Sequence, residues 1–227
     1  MREIIFDTET TGLDPKTGDR LVEIGCIEMF NRVTTGRTFH AYFNPGRTMP
    51  AEAEAVHGLS DVFLSDKPPF RDRLEELLAF LEDSPLVAHN ASFDFGFLDA
   101  ELALCGHPPV CRTRMIDTVA LARVRHPGAK LSLDALCTRY GIDRSHRTLH
   151  GALLDAELLA QVYVELRGGR QIGLELVSES TIAVSTSPAL QIRERPVRPA
   201  RPHNASAAEL AAHAAFLTTV DTPLWSN

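Results

Sequence analysis

Two carboxylates, Asp7 and Glu9, end an apolar, β-favouring run, Ile4-Ile5-Phe6-Asp7-Thr8-Glu9-Thr10-Thr11-Gly12-Leu13. In a strand, side chains at i and i+2 leave the same face, so this spacing sets the two acids side by side. Like charges that close repel, and one pKa rises unless a cation screens the pair. Hard divalent cations such as Mg²⁺ prefer oxygen ligands of this kind, so the pair reads as half of a metal site. Asp94 follows where a short apolar strand, Leu86-Val87-Ala88, gives way to a helix. His150 and Asp155 lie in Arg147-Thr148-Leu149-His150-Gly151-Ala152-Leu153-Leu154-Asp155-Ala156, which opens a long amphipathic segment. Asp155 falls about one helical turn past Gly151, with His150 on the loop before it, which suits a fixed metal ligand beside a mobile base. Each piece alone has a plainer explanation, because strand-end acids are commonly solvated and an Asp near a helix start commonly caps it or answers its dipole. The order and spacing of the whole set argue for a joint site.

The elements that must position these residues follow from periodicity. Three β-rich runs, Glu3 to Thr8, Leu21 to Met29 and Thr38 to Phe43, are separated by turn signals at Asp14-Pro15, Thr17-Gly18 and Asn31 to Gly36. They suit an antiparallel meander. Helical spacing then predicts a helix over Arg71 to Leu81, a buried strand over Leu86 to Ala88 and a helix over Phe93 to Cys105. A short strand at Met115-Ile116 and helices over Thr118 to Val124, Leu133 to Tyr140 and Ala152 to Leu166 complete the series, with Ser132 placed as a cap and Gly168-Gly169 as a stop. Antiparallel strands followed by strand–helix crossovers imply an α/β fold with a mixed sheet flanked by helices.

Size and charge bound the function. The 227 residues suit a globular domain and an extension. The sequence runs into its first strand without a charged-then-apolar leader, and no apolar run is long enough to span a bilayer; the expectation is a soluble, cytoplasmic protein with no membrane partner. Cys26, Cys105, Cys111 and Cys137 form no close pair and read as buried thiols in a reducing compartment rather than a zinc site. With 23 basic against 30 acidic residues, a formal net charge of −7 argues against a protein that grips DNA by phosphate neutralisation alone.

The motifs resemble the DEDDh family of 3′→5′ exonucleases, and within it the epsilon branch that proofreads for bacterial DNA polymerase III. The matching stretches are Phe6 to Leu13, Val56-His57-Gly58-Leu59, His89 to Asp94, Ser132 to Cys137 and Arg147 to Ala156, and the sister branch of the family carries Tyr where this chain has His150. The resemblance implies a ribonuclease H-like fold and hydrolysis of the 3′-terminal phosphodiester of single-stranded DNA, aided by two divalent ions, Mg²⁺ or Mn²⁺. It implies Asp7 as the shared metal ligand, Glu9 and Asp155 on the nucleophile side, Asp94 on the leaving-group side and His150 as general base. Thr10, Thr11, Gly12 and Leu13 would line the terminal nucleotide; His57 either lies near that nucleotide or is a loop histidine. His89 and Asn90 would position the Asp94 helix, while Asp14, His40, His107, Asp117 and Asp134 receive no role.

The domain is expected over residues 1–169. Residues 170–176 hold Gln171, Leu174 and Leu176, which resemble a loose sliding-clamp-binding segment, although family versions often end in Phe. Residues 177–203, rich in Ser, Thr, Pro and Arg, read as a flexible linker. Residues 204–227 contain a capping box, Ser206-Ala207-Ala208-Glu209, then Leu210 and Leu217 on one stripe and Trp225 beyond. By resemblance this tail docks on the polymerase alpha subunit. Two alternatives stay open: a standalone DEDDh nuclease trimming RNA or DNA 3′ ends, and a structural replicase subunit with a vestigial nuclease site.

Overall fold

The computed structural model describes residues 1–145, 147, 149–169 and 205–220. The chain forms two compact units, Met1–Glu175 and Leu176–Asn227. In the first, β1 (Arg2–Thr10), β2 (Leu21–Phe30) and β3 (Val33–Tyr42) form the expected antiparallel meander. The third strand starts earlier than Thr38, because Asn31 and Arg32 both adopt positive φ (51° and 67°) and close a tight two-residue hairpin. Its first half is exposed on both faces, so it carries no alternation to read.

Two short helices then follow that periodicity did not reveal, α1 (Ala51–His57) and α2 (Asp61–Leu64). Each buries a single side chain, His57 or Leu64, so neither shows an apolar stripe. The helix expected over Arg71 to Leu81 divides into a 3₁₀ turn, Phe70–Arg73, and α3 (Leu74–Leu81). Next come β4 (Leu86–Ala88), α4 (Ser92–Leu104), β5 (Met115–Asp117), α5 (Thr118–Arg125), α6 (Leu133–Tyr140) and α7 (Ala152–Leu166). Ser132 caps α6 by accepting from the Ala135 amide, as expected.

The sheet has five strands in the order β3-β2-β1-β4-β5, with β4 and β5 parallel to β1. Helices cover both faces. Ile4 and Phe6 of β1 pack with α3 and α4 in one core. Ile5 packs with α5, α6 and α7 in the other. Strand alternation therefore puts Asp7 and Glu9 on the α7 side, continuing the row of Ile5. Cys26 and Cys137 are buried and Cys105 is half-buried, but Cys111 is exposed in the loop before β5, against expectation. Its Sγ lies 3.1 Å from the Thr113 hydroxyl, between the polar Arg112 and Arg114. Among the described residues no helix is long and apolar enough to cross a membrane.

In the second unit the described residues form α8 (Ala207–Leu217), opened by the capping box between Ser206 and Glu209. Leu210 is exposed and Leu217 half-buried. Gln171, Leu174, Leu176, Trp225 and the expected linker 177–203 lie outside the described residues.

Candidate active site

The end of β1 carries Asp7 and Glu9 opposite Gly25 and Glu23 of β2, and the register slips between Glu9 and Thr10. A side chain at position 25 would meet the first turn of α7, since a Cβ there would lie 2.3 Å from the Leu153 nitrogen. Glycine thus lets α7 seat against the sheet, which brings the buried Asp155 up to the β1 acids. Asp94, in the first turn of α4, is buried and accepts a 2.8 Å hydrogen bond from the Thr8 hydroxyl. The turn before it, with Asn90 at φ 60°, is held by Asp117, whose Oδ1 accepts from the Asn90 amide at 3.1 Å and from Val119 at 2.9 Å. Asp117, given no functional role, therefore sets the entry of the Asp94 helix. His89 assists through Nδ1, 2.9 Å from the Thr118 hydroxyl.

The crowding has an electrostatic signature. Burial, then the nearby Asp94, Glu9, Asp155 and Glu23, hold the Asp7 carboxyl well above its ordinary pKa. Burial, then Glu23 and Asp155, push Glu9 up to about 8, with Arg147 opposing. Burial pushes Asp94 up to about 7 against the hydrogen bonds from Thr8 and the backbone. An acid cluster of this kind invites cations. Donor atoms of Glu9, His150 and Asp155 all lie within 4.8 Å of one another, and oxygen-rich sites with an imidazole suit hard or borderline divalent ions. The donor set fits metal.

Two members were not singled out from sequence. Glu23, buried opposite Glu9, has its Oε1 2.7 Å from His40 Nε2, so His40 also belongs to the site's surroundings. The available signal was a lone acid in the apolar run Leu21-Val22-Glu23-Ile24. Arg147 is the other. Its Nε and Nη2 donate to the two Asp155 oxygens at 2.5 and 2.7 Å, and its Nη1 donates to Asp134 at 2.8 Å. Nη2 also lies 2.8 Å from His150 Nδ1. A guanidinium only donates, so toward Arg147 that imidazole nitrogen can only accept. His150 itself is half-exposed, 3.2 Å from Asp155 through Nδ1, and its backbone amide donates to Val56 at 3.2 Å.

The expected nucleotide-lining residues divide by exposure. Leu13 is 85% exposed. Thr10 donates to the Gly12 carbonyl at 2.6 Å. Thr11 is fully buried, and its hydroxyl accepts from the Arg20 amide at 3.0 Å, so its side chain shapes the loop from within. The Asp19 carboxylate occupies the space a Cβ at Gly12 would need, 2.2 Å away. His57 is buried at the end of α1; its Nδ1 accepts from the Leu59 amide at 3.0 Å, which leaves the proton on Nε2. That Nε2 faces the Thr10 backbone without a hydrogen bond of normal geometry, and burial holds the ring below its usual pKa.

A family model described as Exonuclease (RNase_T) matches residues 4–163. Relatives named DNA polymerase III subunit epsilon include those of Rickettsia conorii, 54% identical over 185 residues (80% of each chain), and Salmonella typhimurium, 44% identical over 226 residues (96% of this chain, 93% of that one). That of Escherichia coli is 47% identical over 176 residues (74% and 72%). A solved structure of exonuclease X with 5′-overhanging duplex DNA superposes with a TM-score of 0.56 at 27% identity, covering 73% of this chain and 90% of that one. The nuclease domain of 3′hExo, a DEDDh member bound to rAMP, shares the fold at a TM-score of 0.63 and 16% identity, with the same two coverages of 73% and 90%. On its matched domain and its close, nearly full-length relatives, the chain belongs to the RNase_T exonuclease family and, within it, to the DNA polymerase III epsilon subunits.

Proposed function

We propose that the chain removes mispaired nucleotides from DNA 3′ ends as the proofreading 3′→5′ exonuclease of a bacterial replicative polymerase. The observation that carries this reading is the gathering of half-buried Asp7 with buried Glu9, Asp94 and Asp155 at one strand end, with Asp7, Glu9 and Asp94 driven toward the protonated form. Such a cluster is costly unless cations occupy it. Bound Mg²⁺ or Mn²⁺ would supply a water nucleophile at neutral pH and stabilise the leaving 3′ oxygen. Asp7 would be the shared ligand, Glu9 and Asp155 would hold the ion on the nucleophile side, and Asp94, steadied by Thr8, would hold the ion on the leaving-group side. His150, half-exposed on its loop, takes the proton from the attacking water.

Leu13 offers an apolar surface on which the terminal base packs. Thr10, Thr11 and Gly12 fix the loop that presents it, and the His57 Nε2–H is a spare donor at its inner edge. For partners, the capped α8 with Leu210, Leu217 and the following Trp225 docks on the polymerase alpha subunit. The segment with Gln171, Leu174 and Leu176 touches the sliding clamp. The match to the Salmonella relative over 96% of this chain, well past residue 169, supports a shared tail.

The test is cleavage of a mismatched 3′ end by purified protein with Mg²⁺ or Mn²⁺. Asp7→Ala should abolish cleavage with the fold retained, and His150→Ala should lower kcat roughly 10²–10⁴-fold. An Asp7→Ala protein that keeps a tenth of the activity excludes the shared-ligand role. Faster trimming of RNA than of DNA would favour the standalone nuclease.

A further inference from the structure

We infer that Arg147 is a built-in cation that latches Asp155 and His150 while the site lacks metal and releases both when ions load, swinging on Asp134. The inference rests on the metal-dependent reading of the site. Arg147 is nine-tenths buried at its side chain and grips both Asp155 oxygens at 2.5 and 2.7 Å. This is the bidentate fork in which guanidinium and carboxylate bind most strongly. The same Nη2 lies 2.8 and 3.3 Å from the two ring nitrogens of His150. The guanidinium therefore sits against two of the three residues, Glu9, His150 and Asp155, whose donor atoms cluster within 4.8 Å. A divalent ion gathered by those donors would be pressed against a like charge at close range, which disfavours holding both at once.

The latch also silences the base. His150 must turn a free lone pair to water, and here both nitrogens lie within reach of a guanidinium that only donates, with Nδ1 also 3.2 Å from Asp155. Departure of the guanidinium would free Asp155 for metal and His150 for the proton in one movement, so that loading with ions and arming of the base are the same event. The arginine has somewhere to remain: its Nη1 is bonded at 2.8 Å to Asp134, a half-exposed acid in the first turn of α6 that Arg144 also contacts at 2.9 Å. Arg147 and His150 share the loop between α6 and α7, so a swing about Asp134 alters the partner of His150 without unfolding either helix.

The experiment is titration of the full-length protein with Mn²⁺ by calorimetry, with thermal midpoints taken in chelator. Arg147→Gln should bind Mn²⁺ about 5- to 100-fold more tightly than the parent, the span of typical coupling between two binding events, and should melt lower without metal. Asp134→Asn should bind Mn²⁺ more weakly than the parent, because the displaced arginine loses its ion pair with Asp134 while the latched one keeps Asp155. General damage to the loop would weaken metal binding in both variants, so the opposed signs identify the latch. Equal or weaker Mn²⁺ affinity in Arg147→Gln makes Arg147 a permanent clamp and overturns the inference. If neither the parent nor Arg147→Gln binds Mn²⁺, the metal-dependent reading fails and the latch falls with it. Binding by Arg147→Gln alone would support the latch in its strongest form.

Discussion

Gly25→Ala, at a residue with no side chain to take part in the chemistry, should disable this protein. The added Cβ would lie 2.3 Å from the Leu153 nitrogen, 2.4 Å from its Cα and 2.5 Å from the Ala152 carbonyl carbon. These are backbone atoms, so no side chain can turn aside. Ordinary contact begins near 3.4 Å, and the first turn of α7 must therefore retreat by about 1 Å. Forcing a methyl group into a packed interface typically costs about 1–3 kcal/mol. In a domain of this size that lowers the thermal midpoint by roughly 2–4 °C per kcal/mol. The larger effect falls on chemistry. Asp155 lies in the same first turn, so it moves with the helix, and a misplacement of about 1 Å costs on the order of 10²-fold in rate. Cleavage of single-stranded DNA and differential scanning calorimetry on the same preparation give both numbers. A variant within threefold of parental kcat would mean that α7 does not set the position of Asp155, and the account of the site would be wrong.

Two further predictions concern charge and tethering. In chelator, stability should fall as pH rises from about 4.5 toward 8, because Glu9 titrates near 4.5 when unfolded and about 8 when folded. The folded state then holds a proton the unfolded state has released, and this contribution is fully present below the unfolded value and lost above the folded one. The ceiling for this group is roughly 4–5 kcal/mol; Glu9→Gln should flatten the slope, and a metal-free midpoint that climbs over this range would contradict the assignment. Deletion after Gly169 should leave cleavage of short single strands intact but abolish copurification with the polymerase alpha subunit, and Trp225→Ala should weaken it; full affinity of the truncated domain would move the docking surface onto the nuclease domain.

The site was legible where chemistry and periodicity coincide. The i, i+2 spacing of Asp7 and Glu9 on a strand, and the placing of Asp155 one turn into α7, are both found in the structure. What stayed hidden depends on long-range pairing. Glu23 joins the site because β2 lies antiparallel to β1 in a register that sets it opposite Glu9, and no local pattern fixes a register. Arg147 was read as part of a motif, but its grip on Asp155 spans two different structural elements, a loop and a helix. Helices α1 and α2 were missed for a related reason. They are held by capping and by contacts at one end, as where Ser60 accepts from the Phe63 amide, and helices that short owe nothing to an amphipathic face.

The charge distribution joins the site to the way the protein must work. Asp7, Glu9, Glu23, Asp94 and Asp155 lie together on a chain whose formal net charge is −7. To the extent that these acids are ionised, an apo site would repel phosphates, and substrate affinity would rise once cations enter. Bound divalent ions would reverse the local field at the strand end, while the remaining charges, 25 acidic against 23 basic once those five are set aside, gain little from the DNA backbone at a distance. The enzyme would then depend on being brought to its substrate. The proposed docking of the tail on the polymerase would supply this as effective concentration, up to about millimolar for a short link. On the proposed function, the protein would first be held near the primer end, metal would then fill the acid cluster, and His150 would become available as base. Affinity for DNA would then be left to the partner, with the nuclease domain keeping the contacts that act on the terminal nucleotide.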